Sequence, residues 1–536
     1  MSGATHPYVT EEWTDDEARV LARHFTNLDG PVFALVNLPE VVKGALFARY
    51  SRSAKSLRRL FLDEFADHVD TAEAPTLDAT VGVARAERLY ERVFSEYGDD
   101  SVAQLGGVHL ACEQVSNLLT KVLEWGRLMA YLEQSTRYVA YDDRVAGRYR
   151  YHRDPEVLSS PLGMRYIGDL DFLFDTYRGL LPVLEAHHRE RHPRDPSDSE
   201  GVHRRAIRAR ALDDLRGLLP AASLSNLGIF GTGQGYEALL LRMRADPLPE
   251  ARTYAGLVLA ELRKVIPSFL TRVDRPDRGG AWSAYLADTA QATAAVADAL
   301  FAGVAPEPRP AVTLVDFDSA AEEKLLSAML YPHVTLPEDQ VAARVRSLGD
   351  DDRAALMAAY VGERTNRRHK PGRALERVVY RFDVLSDYGA FRDLQRHRLL
   401  TLQWQPLTPA HDYELPAEVD AAGAGDAYGA AMDRSAALHD ALAEDFPRQA
   451  AYAVALGYRV RYSIEMNARE ALHMLELRTA PAGHASYRRI CQEMHRLIAE
   501  EAGHRSVAAL MRFVNHEGAG LERLEGERRA EARRQS

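Results

Sequence analysis

The chain of 536 residues has little sulfur chemistry to offer: its only cysteines are Cys112 and Cys491. Two thiols make neither a disulfide framework nor a cysteine-based zinc site. Lysine is scarce as well, since six of the 67 basic residues are lysine and the rest are arginine. Positive charge is not in excess, and the net charge of −11 excludes a protein built mainly to coat nucleic acid, which needs a basic surface. A local basic pocket stays compatible with that total. No run of about 20 apolar residues occurs, so no membrane span is expected. The first residues, MSGATHPYVTEEWTDDEARV, lack a basic stretch followed by an apolar one, so no secretory leader is expected. Together these readings point to the cytoplasm.

What is present is ordinary globular composition, 46% hydrophobic and 27% charged, in a chain too long for one core of at most about 250–300 residues. Residues 16–30 read as a short helix, residues 31–37 as a buried strand, and residues 39–50 as a helix with Val42, Leu46 and Tyr50 on one face. The order recurs later, with a strand at 311–317 and a helix at 321–330. Residues 301–310, rich in proline, read as the linker between the halves. Each half ends with a helical block, Gln234–Arg244 and Asn467–Arg478, and a further amphipathic helix. The last of these puts Ile490, Met494, Leu497 and Ile498 on one face, with Arg489 and Arg496 off it. The pattern reads as a tandem duplication: residues 1–300, with an insertion at about 139–203, and residues 311–536. The insertion carries Tyr149–Arg153 and His187–Pro193. Their histidine spacing matches no zinc pattern, so they read as solvated helix and loop, and no metal is expected.

The chemistry-bearing segment is Gln395-Arg396-His397-Arg398, a cationic cluster suited to phosphate or diphosphate. It resembles the start of the signature of the flavin-dependent thymidylate synthases, Arg-His-Arg-x-x-Ser-x-Asn-Glu-x-Ser-x-Arg-Tyr. Thr401 and Gln403 are conservative in it; Trp404, Pro406, Thr408 and Pro409 break it. The rest of the signature stands in the other half, where Glu133, Ser135, Arg137 and Tyr138 match the closing Glu-x-Ser-x-Arg-Tyr. Counted back, Trp125-Gly126-Arg127 occupies the Arg-His-Arg place. The halves have lost opposite ends of one motif. His369 and Glu376 resemble the family's His…Glu-His segment. Asn467-Ala468-Arg469 matches its Asn-Ala-Arg helix, replaced in the first half by Gly233-Gln-Gly235. His484-Ala485 begins its His-Ala-Gln segment, Gly98–Ser101 resembles its His-x-x-Ser region, and Arg496 falls at the catalytic arginine.

The resemblance implies an α+β fold: two diverged copies of one helix-rich domain, each with a small sheet. It implies reductive methylation of dUMP to dTMP, with FAD as cofactor and NADPH and methylenetetrahydrofolate as co-substrates. Arg396, His397, Arg398 and His369 would bind the flavin. Glu133, Ser135, Arg137, Tyr138, Gln395 and Arg469 would bind the nucleotide, and Arg496 would act in catalysis, with the site composed from both repeats. The family forms tetramers, so a homo-oligomer is expected, a dimer imitating the tetramer. The competing reading is a non-catalytic or repurposed paralogue that binds flavin or pyrimidine nucleotide, or serves as a scaffold. Neither nucleic acid nor membrane is an expected partner. Neither cysteine lies in a motif, which agrees with chemistry that needs no enzyme thiol.

Overall fold

The computed structural model describes residues 8–66, 106–518, 520–521 and 523–535. Gly98–Ser101 lies outside them. The chain divides into two compact units, one of residues 1–178, 218–305 and 430–455, the other of residues 179–217, 306–429 and 456–536.

The elements that position chemistry are these. In the first repeat they are α1 (Asp15–Ala22), β1 (Val32–Leu35), α2 (Glu40–Tyr50), β2 (Gly107–Ser116), α3 (Asn117–Leu123), β3 (Met129–Glu133), α4 (Gly163–Arg191), β4 (Leu224–Thr232), α5 (Gly233–Ala245), α6 (Pro249–Leu262) and α7 (Ala281–Leu300). In the second they are β5 (Val312–Phe317), α8 (Ala321–Leu330), β6 (Val379–Asp387), α9 (Tyr388–Leu394), β7 (Thr401–Trp404), β8 (Arg459–Asn467), α10 (Ala468–Arg478) and α11 (Ala485–Glu500).

Each unit holds one antiparallel four-stranded sheet, and the two orders are the same: β1-β2-β4-β3 and β5-β6-β8-β7. The registers also correspond. Gly107 faces Thr232 and Ser116 faces Leu224 in one sheet; Val379 faces Asn467 and Asp387 faces Arg459 in the other. In each unit the last strand residue caps the helix that follows. The Ser116 hydroxyl accepts from Leu119 N–H, and the Asp387 carboxylate accepts from Ala390 N–H, the usual way an N-terminal orphan donor is satisfied. A bulge between Cys112 and Val115 absorbs the extra residue of β2, with Gln114 at φ 52°. The chain is two copies of one α+β domain.

Cores form where the alternation demands. In the first unit Phe33, Leu35, Leu46, Phe47, Tyr50 and Phe61 cluster beneath β1, and α6 packs on that strand. In the second, α11 packs on β5 and β6, burying Ile490, Met494, Leu497 and Ile498. Each such side chain contributes about 1.5–3 kcal/mol. Arg489 and Arg496 fall off that face, as the spacing predicts. The helix expected over 16–30 ends at Ala22, because the chain turns back to pair Phe25 with Leu35.

The 139–203 stretch differs from its expected solvated state. Tyr149 and Tyr151 are buried and stack on Phe174 of α4 at 5.0 and 5.6 Å. His188 is fully buried, 2.6 Å from an Asp214 carboxylate oxygen. His152 lies buried between Asp154 and Glu250. A carboxylate partner is what lets each histidine sit inside.

Candidate functional site

Arg396–Arg398 form the turn between α9 and β7. Apolar α9 buries Phe391 and Leu394, which delivers the turn to a fixed place. Gln395 is buried, and its N–H donates to Phe391 O (2.9 Å). Arg398 points to solvent, Arg396 is half-buried and His397 is buried.

Both ring nitrogens of His397 are engaged. Nδ1 lies 2.8 Å from Glu470 Oε1, and Arg478 Nε donates to Nε2 (2.9 Å). An arginine can only donate, so Nε2 accepts and Nδ1 carries the proton to Glu470. Burial, then the charges of Arg478 and Lys370, hold the His397 pKa well below its ordinary range. His473, 5.4 Å away ring to ring, is pushed down to about 4, first by burial, then by Lys370, His397 and Arg367 against the pull of Glu470. Burial raises Glu470, while Lys370, Arg469 and Arg398 pull it down.

His397, Glu470 and His473 bring one ligand atom each to within 4.8 Å of the others, a set with the donor types of a metal centre. The surroundings favour an anion instead. Arg478 already occupies Nε2 of His397, and Lys370, Arg367, Arg398 and Arg469 all act electrostatically on the trio. A divalent cation would enter that field against repulsion; a diphosphate would enter with it.

Glu470, His473 and Arg478 are functional candidates that the motif reading passed over. They lie inside the matched Asn-Ala-Arg helix. The Glu470/His473 spacing of three residues, on one helical face, was the available signal. At the start of that helix the Asn467 side chain accepts from Glu470 N–H. Arg469 donates to Pro371 O (3.0 Å) and to Glu376 (3.3 Å). Glu465, four residues before Arg469, lies on β8 and faces Arg381. The matching cap in the other unit is Thr232, which accepts from Gly235 N–H. Thr232-Gly233-Gln234 is therefore the counterpart of Asn467-Ala468-Arg469, one residue earlier than the letters suggest. His369 is exposed; its carbonyl accepts from Arg364 Nε (2.6 Å), and its ring meets Thr365 and Asn366.

Arg496 lies on the exposed face of α11, its guanidinium paired with Glu493 and Glu500 of the same helix at 2.5 Å. Those two hydrogen-bonded carboxylates hold its pKa above the ordinary arginine value. His484 and Ala485, with Ser486, line a cavity of about 640 Å³ together with Arg216, Asp387 and Tyr428. Cys491 is buried, which pushes its thiol up to about 12, and burial raises Cys112 further still. Neither is a nucleophile at neutral pH.

In the first unit, Trp125-Gly126-Arg127 forms the turn between α3 and β3, the counterpart of Arg396–Arg398 between α9 and β7. Trp125 is exposed, with Arg242 5.5 Å from its ring. Glu133 ends β3, buried 3.5 Å from Lys121. In the loop beyond it, Ser135 N–H donates to Ser51 O (3.1 Å) and Ser135 Oγ accepts from Arg137 N–H (3.3 Å). Tyr138 is exposed, with Arg52 5.4 Å from its ring. The surviving ends of the signature thus occupy successive parts of one helix–turn–strand–loop unit that both copies possess.

The sequence profile described as thymidylate synthase complementing protein matches residues 45–268 and again 314–503. The chain belongs to that family. The thymidylate synthase complementing profile meets it twice, once per sheet, as a tandem duplication requires. Related proteins match it over nearly their whole length: a UPF0159 protein of Chlamydia muridarum is 37% identical over 97% of this chain and 99% of its own. One of Thermoplasma acidophilum is 30% identical over 90% and 97%. The structure of a UMP/dUMP methylase, PolB, from Streptomyces cacaoi with bound 5-Br dUMP aligns with 38% of this chain and 96% of its own, at TM-score 0.30 and 15% identity. A likeness that low bears on neither fold nor ligand. No helix among the described residues is long and apolar enough to cross a membrane.

Proposed function

We propose that the protein is a flavin-dependent thymidylate synthase, making dTMP from dUMP with methylenetetrahydrofolate as carbon donor and NADPH as reductant. The observation that carries this reading is the division of one signature between two equivalent turns and loops. Arg-His-Arg survives after α9 and Glu-x-Ser-x-Arg-Tyr after β3; independent surface drift gives no reason for that complementarity.

The residues around His397 fit a flavin diphosphate. Arg396, Arg398, Lys370 and Arg367 supply the positive charge it needs, and arginine matches phosphate oxygens bidentately. FAD, when bound there, supplies the redox chemistry of the reaction. His397 acts as a positioning residue, its ring fixed between Glu470 and Arg478. Glu133, Ser135, Arg137 and Tyr138 serve the nucleotide, with Arg137 on its phosphate. For the arginine that stabilises negative charge developing on the uracil ring, we assign Arg478. It is partly buried beside the cluster, whereas Arg496 is neutralised by two glutamates at the surface.

The test is dTMP formation by the purified full-length chain given dUMP, methylenetetrahydrofolate, NADPH and FAD. The reading predicts dTMP. Flavin bound without dTMP formed supports the repurposed paralogue, which the replacement of Arg469 by Gln234 in the first repeat favours. No flavin bound overturns the synthase and the flavin-binding paralogue alike and supports the paralogue that binds only nucleotide or serves as a scaffold.

A further inference from the structure

The first repeat ends in a helix that, among the described residues, has nothing beside most of it. Near its start α7 is anchored by Ser283, buried, whose hydroxyl donates to Leu241 O (3.2 Å). From Asp288 to Leu300 every residue is exposed. Trp282, Tyr285, Val296 and Leu300 are each more than half exposed. A free-standing helix of about three turns is marginal in water, and solitary apolar arms are rare on monomers.

The arm has a distinct face. At about 100° per residue, Trp282, Tyr285, Thr289, Ala292, Val296 and Ala299 form one stripe opposite Ser283. The two threonine hydroxyls near it are satisfied within the helix: Thr289 donates to Tyr285 O (2.8 Å) and Thr293 to Thr289 O (2.7 Å). Between residues 281 and 304 the only charges are Asp288 and Asp298, with no lysine or arginine, so a strongly charged partner finds little to pair with.

We infer that this stripe is a docking surface for a second copy of the chain, the two α7 helices packing antiparallel about a two-fold axis. The order of side-chain sizes selects that arrangement. Set antiparallel about the midpoint of residues 290 and 291, Trp282 meets Ala299, Tyr285 meets Val296 and Thr289 meets Ala292. Large faces small at every level, as close packing requires. Parallel pairing would set Trp282 on Trp282 and Tyr285 on Tyr285. The exposed parts of Trp282, Tyr285, Val296 and Leu300 amount to about 500 Å² per copy, taking aromatic side chains at about 150–250 Å² each. Covered completely, two copies reach about 1,000 Å², the lower bound for a biological interface with good complementarity. The contact is isologous, so it closes on itself instead of propagating.

Sedimentation velocity on the full-length chain tests this. Val296→Glu and Tyr285→Lys each place a charge in the seam and are expected to halve the mass of the wild-type assembly. The antiparallel register sets residue 285 of one copy against residue 296 of the other, so an equimolar mixture of the two variants is expected to regain the wild-type mass. Ala284→Glu, exposed but off the stripe, is expected to leave the mass unchanged and shows that charge on the helix is tolerated. A wild-type chain that stays monomeric at high concentration, or single variants that assemble as the wild type does, would overturn the proposal. So would a mixture that stays dissociated, or an Ala284→Glu chain that loses the assembly.

Discussion

Arg478 Nε donates to His397 Nε2 across 2.9 Å, from the last turn of α10 to the turn before β7. That bond fixes the histidine as neutral, with its proton on Nδ1 facing Glu470. The prediction is a nitrogen-resolved NMR spectrum in which His397 shows the Nδ1–H tautomer and no protonation across the ordinary histidine range around pH 6.5. An imidazolium signal in that range would contradict the arrangement.

A pH dependence of stability follows. His397 and His473 have folded pKa values below the unfolded value of 6.5, His473 at about 4. Between the folded and unfolded values the unfolded chain binds more protons, so stability falls as pH drops. Their contribution is fully present above pH 6.5 and is lost from there toward pH 4. Buried His397 contributes a slope of at most about 1.4 kcal/mol per pH unit. Denaturant midpoints measured across pH 4–8 are expected to fall on the acid side, and less steeply in His473→Gln.

In the other unit the sign reverses for one group. Burial pushes the His152 pKa down, but Glu250 and Asp154 push it further up, so it ends above its ordinary value. Its stabilisation is complete below pH 6.5 and is lost as pH rises through the raised value. Glu250 also accepts from Ser116 N–H (2.9 Å), Ser116 Oγ (2.5 Å) and Tyr452 OH (2.7 Å). Glu250→Ala leaves all of these donors buried without their acceptor and is expected to cost about 3–5 kcal/mol in urea unfolding. A loss under about 1 kcal/mol would show that the network is replaceable.

Glu470→Ala removes the acceptor of the buried His397 N–H. The expected cost is about 1–3 kcal/mol, measured by urea unfolding, and Glu470→Gln, which keeps an acceptor oxygen, is expected to recover most of it.

Much of this was legible in the letters because it rests on short-range rules. The strands at 32–35 and 312–317 and the helix at 321–330 follow from apolar periodicity, and the duplication follows from their recurrence. The turn Arg396–Arg398 was found because a run of three cationic or titratable residues is visible without structure. The roles of Glu470, His473 and Arg478 were not legible in the same way. Their meaning depends on β7 and β8 pairing, which brings residues far apart in sequence onto one histidine. The frame of the first-repeat counterpart, Thr232-Gly233-Gln234, needed the caps and the sheet register. Letters alone also mistook Tyr149–His152 and His188 for solvated groups, because their burial is decided by distant carboxylates and aromatic rings.

Two arginines compete for the catalytic role. Arg478→Ala is expected to lower kcat by about 10²–10³-fold, the scale for losing one preorganised donor to developing charge, while flavin stays bound. Arg496→Ala is expected to leave turnover unchanged, since its guanidinium serves Glu493 and Glu500. The opposite pattern would return the role to Arg496.

The turn before β7 is proposed to hold a flavin. Titration of the full-length chain with FAD, followed by flavin absorbance and fluorescence, tests it most directly. Saturable binding of one flavin per intact site, weakened in Arg396→Ala and Arg398→Ala but not in Arg489→Ala, is the predicted result. A colourless chain that takes up no FAD, or binding indifferent to Arg396 and Arg398, would contradict it.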